Sequence, residues 1–176
     1  SLFKFLVDEN YIKNNISKSI RIPKVSKKLP NHLTLDEMNS FFAKTIEMID
    51  IPLRDLVVID LLYSTGVRAS ECISILINDI DFHNNTIRIS GKGDKERLVV
   101  FGDKTKTNIL KYIDNEIPDS SKFLFPSKLK RKKSKNNFIT SRTIYNIVKK
   151  YIKFISNNEK LGPHSLRHSF ATHLLQ

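Results

Sequence analysis

Residues 86–101, TIRISGKGDKERLVVF, place β-branched runs on both sides of a glycine-bearing turn, which is the pattern of an antiparallel hairpin. Almost every other periodic segment repeats at helical spacing, so the hairpin confines β structure to one small sheet. Thr34-Leu-Asp-Glu37 reads as a capping box opening a helix that carries Leu35, Met38, Phe41, Phe42 and Ile46. Pro52 starts a second helix through Leu56, Val57, Ile59, Leu61 and Leu62, and Gly66 can end it in a left-handed cap. A third helix is expected over 67–77 and another over about 103–116. Phe123–Phe125 is a short apolar stretch, and Thr140 caps a helix with Ile144, Ile147, Val148, Tyr151, Ile152 and Ile155 inward. Pro163 precedes a last helix over 164–176. The expected fold class is mainly α with a small antiparallel β-sheet.

Both ends of the chain read differently from its middle. Residues 1–15 show a helix-like apolar pattern (Leu2, Phe3, Phe5, Leu6, Tyr11), and one short helix needs a partner to fold. Residues 17–31, SKSIRIPKVSKKLPN, combine two prolines with five Lys/Arg and no periodicity, which describes an extended basic linker. The helix that reaches Gln176 carries no stop signal, so the chain reads as the incomplete part of a longer protein. A single cysteine, Cys72, excludes a disulfide framework and a Cys-rich zinc module. No apolar run approaches a membrane span and no export signal is present, so a cytoplasmic location is expected.

Charge points to a partner. Residues 1–103 hold 14 basic and 14 acidic side chains and cancel, whereas residues 104–176 hold 16 basic and 4 acidic and carry the whole formal +12. That asymmetry fits a polyanion, nucleic acid before membrane, against the plainer alternative of a solvated basic surface. The loop SKLKRKKSK at 127–135 has six Lys/Arg in nine residues, including Lys130, Arg131, Lys132 and Lys133. It is either a solvated tip or a set of salt-dependent phosphate contacts. Lys24, Lys27 and Lys28 in the linker could track a duplex in the same way.

Four cationic side chains sit where capping and strand pairing do not require them. Arg68 follows the Gly66 turn at a helix start, where a cation meets the positive end of the helix. Lys92 lies between Gly91 and Gly93 in the hairpin tip, where backbone can approach a ligand closely. His164 and Arg167, three apart at the start of the last helix, share a face and can converge on one anion. Taken singly, each has an ordinary alternative: a surface ion pair, or a turn that is only a turn. His164, His168 and His173 lack the glutamate and the further ligands of a zinc site, and no metal or cofactor is expected. Cys72 suits a buried thiol, and Tyr63, Tyr145 and Tyr151 suit helix packing.

Taken together, LLYSTGVRASEC (61–72), ISGKGDKERLVVF (89–101) and GPHSLRHSFATHLL (162–175) resemble the tyrosine recombinase, or phage integrase, family, and most of all its Xer-type members. The order of Arg, hairpin Lys and His-x-x-Arg is the family order. The resemblance implies a tyrosine recombinase catalytic-domain-like fold and three parts: residues 1–20 as the end of a core-binding domain, 21–32 as a basic interdomain linker, and 33–176 as a catalytic domain lacking its C-terminal part. It implies site-specific DNA strand cleavage and rejoining through a 3′-phosphotyrosyl intermediate on a double-stranded DNA recombination site, with a homo-tetramer assembled on DNA and no metal.

By resemblance, Arg68 and Arg167 stabilise the non-bridging phosphate oxygens, Lys92 protonates the 5′-oxygen leaving group, and His164 assists proton transfer. Glu71 orients the site or forms a plain salt bridge, and His168 is supportive. Lys95 and Arg97 flank the hairpin and are expected to contact DNA or help position it. The family's nucleophilic tyrosine follows the His-x-x-Arg pair, and none of Tyr11, Tyr63, Tyr112, Tyr145 or Tyr151 occupies that position, so this chain by itself is expected to be inactive in covalent cleavage. The motifs serve both chromosome dimer resolution and mobile-element integration. A non-catalytic DNA-binding paralogue, and type IB topoisomerase-like relaxation, are the competing readings.

Overall fold

The computed structural model describes residues 2–15, 32–47, 51–91, 93, 95–127, 137–156, 158 and 160–175. Helix α1 spans Leu2–Asp8 and buries none of its side chains. It is shorter than the apolar pattern suggested, because Asn10 takes a left-handed φ of 60° and leaves Tyr11 exposed beyond the helix. Helix α2, Leu35–Glu47, opens with the expected reciprocal cap. The Thr34 amide donates to Glu37 Oε2 at 2.8 Å, and the Glu37 amide donates to Thr34 Oγ1 at 3.2 Å.

Helix α3, Leu53–Ser64, is the axis of the molecule. Val57, Val58, Ile59, Leu61 and Leu62 are all buried, so apolar side chains surround the helix rather than lining one stripe. Helix α5, Asp103–Glu116, packs along it, joined by α6, Ser141–Ile152, and α7, Pro163–Leu174. Helix α6 shows why its sequence was readable. Thr140 Oγ1 caps the Thr143 amide at 3.2 Å, and the buried residues Ile144, Ile147, Val148, Tyr151 and Ile152 recur at helical spacing. Its Tyr151 hydroxyl donates to the buried Asp55 of α3 at 3.2 Å.

The sheet has three antiparallel strands in the order β1 (Ile80–Asp81), β2 (Thr86–Ser90), β3 (Glu96–Val100). Ile87 pairs with Val99 and Ile89 with Arg97, so these four residues share the inward face, while Leu98 and Val100 point to solvent. The expected hairpin is present, with β3 one residue earlier than expected; the short strand β1 was not anticipated.

The expected helix over 67–77 is corrected. Helix α4 is a single turn, Ala69–Cys72, and a 3-10 turn follows at Ile77–Asp79. Ser74 Oγ donates to the Glu71 carbonyl at 3.0 Å, taking up an acceptor at the end of the helical turn. The chain beyond it runs extended because it pairs with the 122–124 segment. Leu124 N–H donates to Ile75 O at 2.9 Å and Ile77 N–H to Lys122 O at 3.0 Å, which buries Ile75, Leu124 and Phe125. The tertiary pairing outweighs local helical periodicity. Among the described residues no helix is long and apolar enough to cross a membrane.

Candidate active site

Everything at the site depends on how the chain leaves α3. Thr65 Oγ1 donates to Leu61 O at 2.6 Å, and Gly66 then turns the backbone at φ +60°. A Cβ on Gly66 would lie 2.4 Å from the Phe170 ring of α7, so glycine is required here both for its φ and for its small size. The next residue, Val67, is buried in the core, and Arg68 therefore emerges at the surface, its side chain 57% exposed.

Glu71 closes the turn. Its Oε2 accepts the Arg68 amide at 2.8 Å and Arg97 Nη2 at 2.7 Å; its Oε1 accepts Arg68 Nη1 at 2.8 Å and Arg97 Nη1 at 3.0 Å. Each carboxylate oxygen thus takes two donors, and the carboxylate is only 7% exposed. Burial by itself would raise its pKa. The Arg97 fork, the Arg68 amide and the Arg68 guanidinium outweigh burial and hold it at about 2. The adjacent Cys72 thiol is pushed up to about 12 by burial and by the Glu71 charge, which fits the expected inert thiol.

Arg167 approaches from α7. Its Nη1 donates to the carbonyl of Gly66, so the second guanidinium is anchored on the turn that presents the first. Burial, followed by the positive charge of Arg68, lowers its pKa, with Glu71 opposing and Arg97 adding to the depression. Gly162 N–H donates to Ser165 Oγ at 3.2 Å at the start of α7, and Ser169 Oγ accepts the Leu33 amide at 2.8 Å. The first closes the start of the helix, and the second fixes the helix against the segment that leads into α2.

His164 is exposed in the first turn of α7, one turn before Arg167. His168 meets His32 edge to face, 5.5 Å between ring centroids, and His173 Nδ1 lies 3.0 Å from the Tyr63 hydroxyl on the far part of the helix. An open groove runs beside the cluster, lined by Arg68, Ser70, Glu71, Ser90, Gly91, Lys95, Glu96 and Arg97. Its hairpin side is set where Gly91 N–H donates to Lys95 O at 2.8 Å.

Arg68, Glu71, Arg97 and Arg167 are therefore brought together, with exposed Lys95 on the rim of the groove. Lys92, Lys24, Lys27, Lys28, Lys130, Arg131, Lys132 and Lys133 lie outside the described residues. Sequence reasoning assigned Arg97 to DNA contact or hairpin placement; the structure aims its guanidinium at Glu71. The strand alternation held the clue, since Arg97 shares the inward face with Ile87, Ile89 and Val99 and an arginine there needs an anion. The Gly66 carbonyl, which receives Arg167, had no side-chain signal at all. Chemically, two guanidiniums held at one turn suit the oxygens of a phosphate. Among the described residues no group of three His, Cys, Asp or Glu is placed to hold a metal ion.

The phage integrase family model matches residues 31–176. The chain is 35% identical over 177 residues to tyrosine recombinase XerC of Thermodesulfovibrio yellowstonii, covering 99% of this chain and 59% of the relative. It is 33% identical over 186 residues to tyrosine recombinase XerD of Listeria monocytogenes, covering 100% of this chain and 59% of the relative. The chain thus spans about three fifths of the length of these curated relatives. Among solved structures it is similar to XerH site-specific recombinase bound to palindromic difH substrate in a post-cleavage complex, with TM-score 0.74 and 28% identity, covering 98% of this chain and 52% of that one. A three-motif sequence pattern, a shared fold and a family match over most of the chain agree, and this chain belongs to the phage integrase family.

Proposed function

We propose that this chain forms most of the catalytic domain of a site-specific DNA recombinase, which cleaves and rejoins strands through a 3′-phosphotyrosyl intermediate. The observation that carries the reading is the anchoring of Arg167 on the Gly66 carbonyl, beside Arg68, in a protein of this family. Two guanidiniums fixed before substrate arrives can stabilise charge developing on both non-bridging oxygens without reorganising. In this reading Arg68 and Arg167 are the oxyanion donors, Lys92 the acid for the 5′-oxygen and His164 the proton-transfer group. Glu71 and His168 support them. XerH is seen bound to its difH substrate, and the basic excess of residues 104–176 supports duplex DNA as the partner here too.

The reading extends to organisation. Residues 1–20 belong to a core-binding domain, 21–32 to a basic linker and 33–176 to the catalytic domain, and the active assembly is a homo-tetramer on two duplexes. The nucleophilic tyrosine is supplied by sequence other than this chain.

The test compares this chain with a form extended to the end of its reading frame, each incubated with a nicked suicide DNA site and run on a denaturing gel. A covalent adduct with the extended form alone is expected. No adduct with either form, despite tight duplex binding, would replace the enzyme with a DNA-binding paralogue.

A further inference from the structure

Arg97 is the one arginine of the cluster that comes from the sheet. It occupies an inward-facing position of β3, opposite Ile89, where the strand pattern calls for an apolar residue. Its fork meets Glu71 end-on, Nη1 to Oε1 at 3.0 Å and Nη2 to Oε2 at 2.7 Å. The remaining capacity of the carboxylate goes to the Arg68 amide and to one nitrogen of the Arg68 guanidinium.

This arrangement has two consequences. First, Glu71 already holds a bidentate partner, so it grips the Arg68 guanidinium through a single nitrogen, Nη1, and leaves the other donors of that guanidinium unbonded to Glu71 on a side chain that is 57% exposed. Without Arg97, the carboxylate would be open to a bidentate pair with Arg68 and would compete directly with a phosphate. Second, the fork ties β3, and with it the hairpin that carries Gly91 and Lys95 on the groove, to the single turn of α4. Ile87 and Ile89 seat the hairpin on the core, and the fork adds the polar contact that fixes its inward face against α4 and Arg68.

We propose that Arg97 is a positioning residue for the phosphate site: by saturating Glu71 it leaves Arg68 available to the substrate, and by clamping β3 to α4 it sets the hairpin against that site. Arg97 acts through Glu71 and does not itself contact phosphate. The charged and titratable groups facing Glu71 are Arg68 from its own turn, Arg97 from β3, Arg167 from α7 and the neighbouring Cys72, with Lys95 and Glu96 on the groove wall. Arg97 heads the interactions that hold the Glu71 carboxyl down against burial, so its loss lets that carboxyl rise.

The rate part of this proposal rests on the recombinase reading; the charge part does not. Arg97→Ala and Arg97→Lys are made both in this chain and in the form extended to the end of its reading frame. In this chain the Glu71 carboxyl is titrated by 13C NMR. The unsubstituted midpoint is expected at about 2, with Arg97→Ala raising it and Arg97→Lys raising it less. In the extended form, single-turnover cleavage by Arg97→Ala is expected to fall about 10- to 100-fold, the scale of a misplaced catalytic group, with duplex affinity and salt slope unchanged. Its rate deficit should shrink as pH falls toward the raised Glu71 midpoint, because protonation removes the carboxylate that competes for Arg68, and Arg97→Lys should show a flatter profile.

If Arg97→Ala does not fold, Arg97→Lys still keeps the charge while losing the fork, and its lowered rate with unchanged affinity carries the same claim. An unmoved Glu71 midpoint overturns the proposal. So does a loss of affinity and salt slope equal to the loss of rate, which would make Arg97 a phosphate contact. If the unsubstituted extended form makes no adduct, the recombinase reading fails, and the Glu71 titration alone decides whether Arg97 governs that carboxylate.

Discussion

Glu71 beside the groove and Asp60 between α3 and α5 are both carboxylates taken out of water, 7% and 5% exposed, yet their surroundings drive them in opposite directions. Glu71 meets two guanidiniums and a backbone amide, and its pKa falls to about 2. Asp60 meets only neutral donors, Thr105 Oγ1 at 3.0 Å on Oδ1 and Asn108 Nδ2 at 3.0 Å on Oδ2. Burial dominates there and its pKa rises, with the two hydrogen bonds and the more distant Lys104 opposing. The groove region keeps its charge by collecting opposite charge at the surface, where ligands can reach the cations. The interface between α3 and α5 uses a carboxyl group as a hydrogen-bond acceptor that locks one helix against another. Burial alone therefore does not mark a functional acid; the charge of its partners does.

The largest effect should come from the turn on which the Glu71 region depends. Gly66→Ala places a methyl group 2.4 Å from the Phe170 ring at a φ of +60°. Backbone strain and overpacking together are expected to cost about 4 kcal/mol, read as a lower urea midpoint with an unchanged slope. Relief of that strain should also displace the Gly66 carbonyl and weaken the Arg167 anchor on it. A loss below about 1 kcal/mol would mean that the ring steps aside, and that the turn is less constrained than its geometry implies.

Glu71→Gln comes next. The amide keeps one acceptor oxygen and turns the other position into a donor facing Arg97 Nη2 and the Arg68 amide. The two stranded donors and the unbalanced guanidiniums are expected to cost about 2 kcal/mol, less than for a fully buried pair because the Arg68 and Arg97 side chains are 57% and 37% exposed. The sign of the pH dependence follows from the lowered pKa. The carboxylate contributes stability above its ordinary 4.5, and that stability is lost as pH falls toward about 2. The glutamine variant should lack this acid loss, so its deficit relative to the unsubstituted chain should shrink as pH falls through that window. A deficit constant with pH would show that the arginines do not stabilise the charged form.

Most of the scaffold was legible because the signals were local. The Thr34–Glu37 cap, the Thr140 cap with its inward isoleucines, and the alternation of TIRIS each need only neighbouring residues to be read. Reading failed where a distant segment decided the outcome. The residues after Cys72 leave the helix because they pair with Phe123 and Leu124, and nothing within 67–77 announces that partner. The site divides in the same way. Arg68, Glu71 and Arg167 could be singled out because they stand near helix starts in a family order, whereas the contacts of the Gly66 carbonyl and the Arg97 fork emerge only when α7 and β3 are folded against α4. Arg97 stands out by its place beside the hairpin, and strand alternation gives its inward register, but its partner lies 26 residues away.

Asp60→Asn is the smallest expected change and the one that tests the comparison most directly. An asparagine can keep both contacts: its carbonyl accepts from Asn108 Nδ2, and its amide donates to Thr105 Oγ1, since a hydroxyl can accept as well as donate. The hydrogen bonds are conserved in number and the buried charge is removed, so stability at neutral pH is expected to stay within about 1 kcal/mol of the unsubstituted chain, on the favourable side. The pH dependence should run opposite to that of Glu71. Because the folded pKa is raised above 3.8, protonation favours the native state: the contribution is fully present below 3.8 and lost as pH rises through the higher folded value. Urea unfolding of the asparagine variant across that window should show this slope removed, while Glu71→Gln removes a slope of the other sign. If Asp60→Asn instead costs as much as Glu71→Gln at neutral pH, the Asp60 charge is being stabilised by its neutral donors and Lys104, and the two carboxylates are the same kind of device after all.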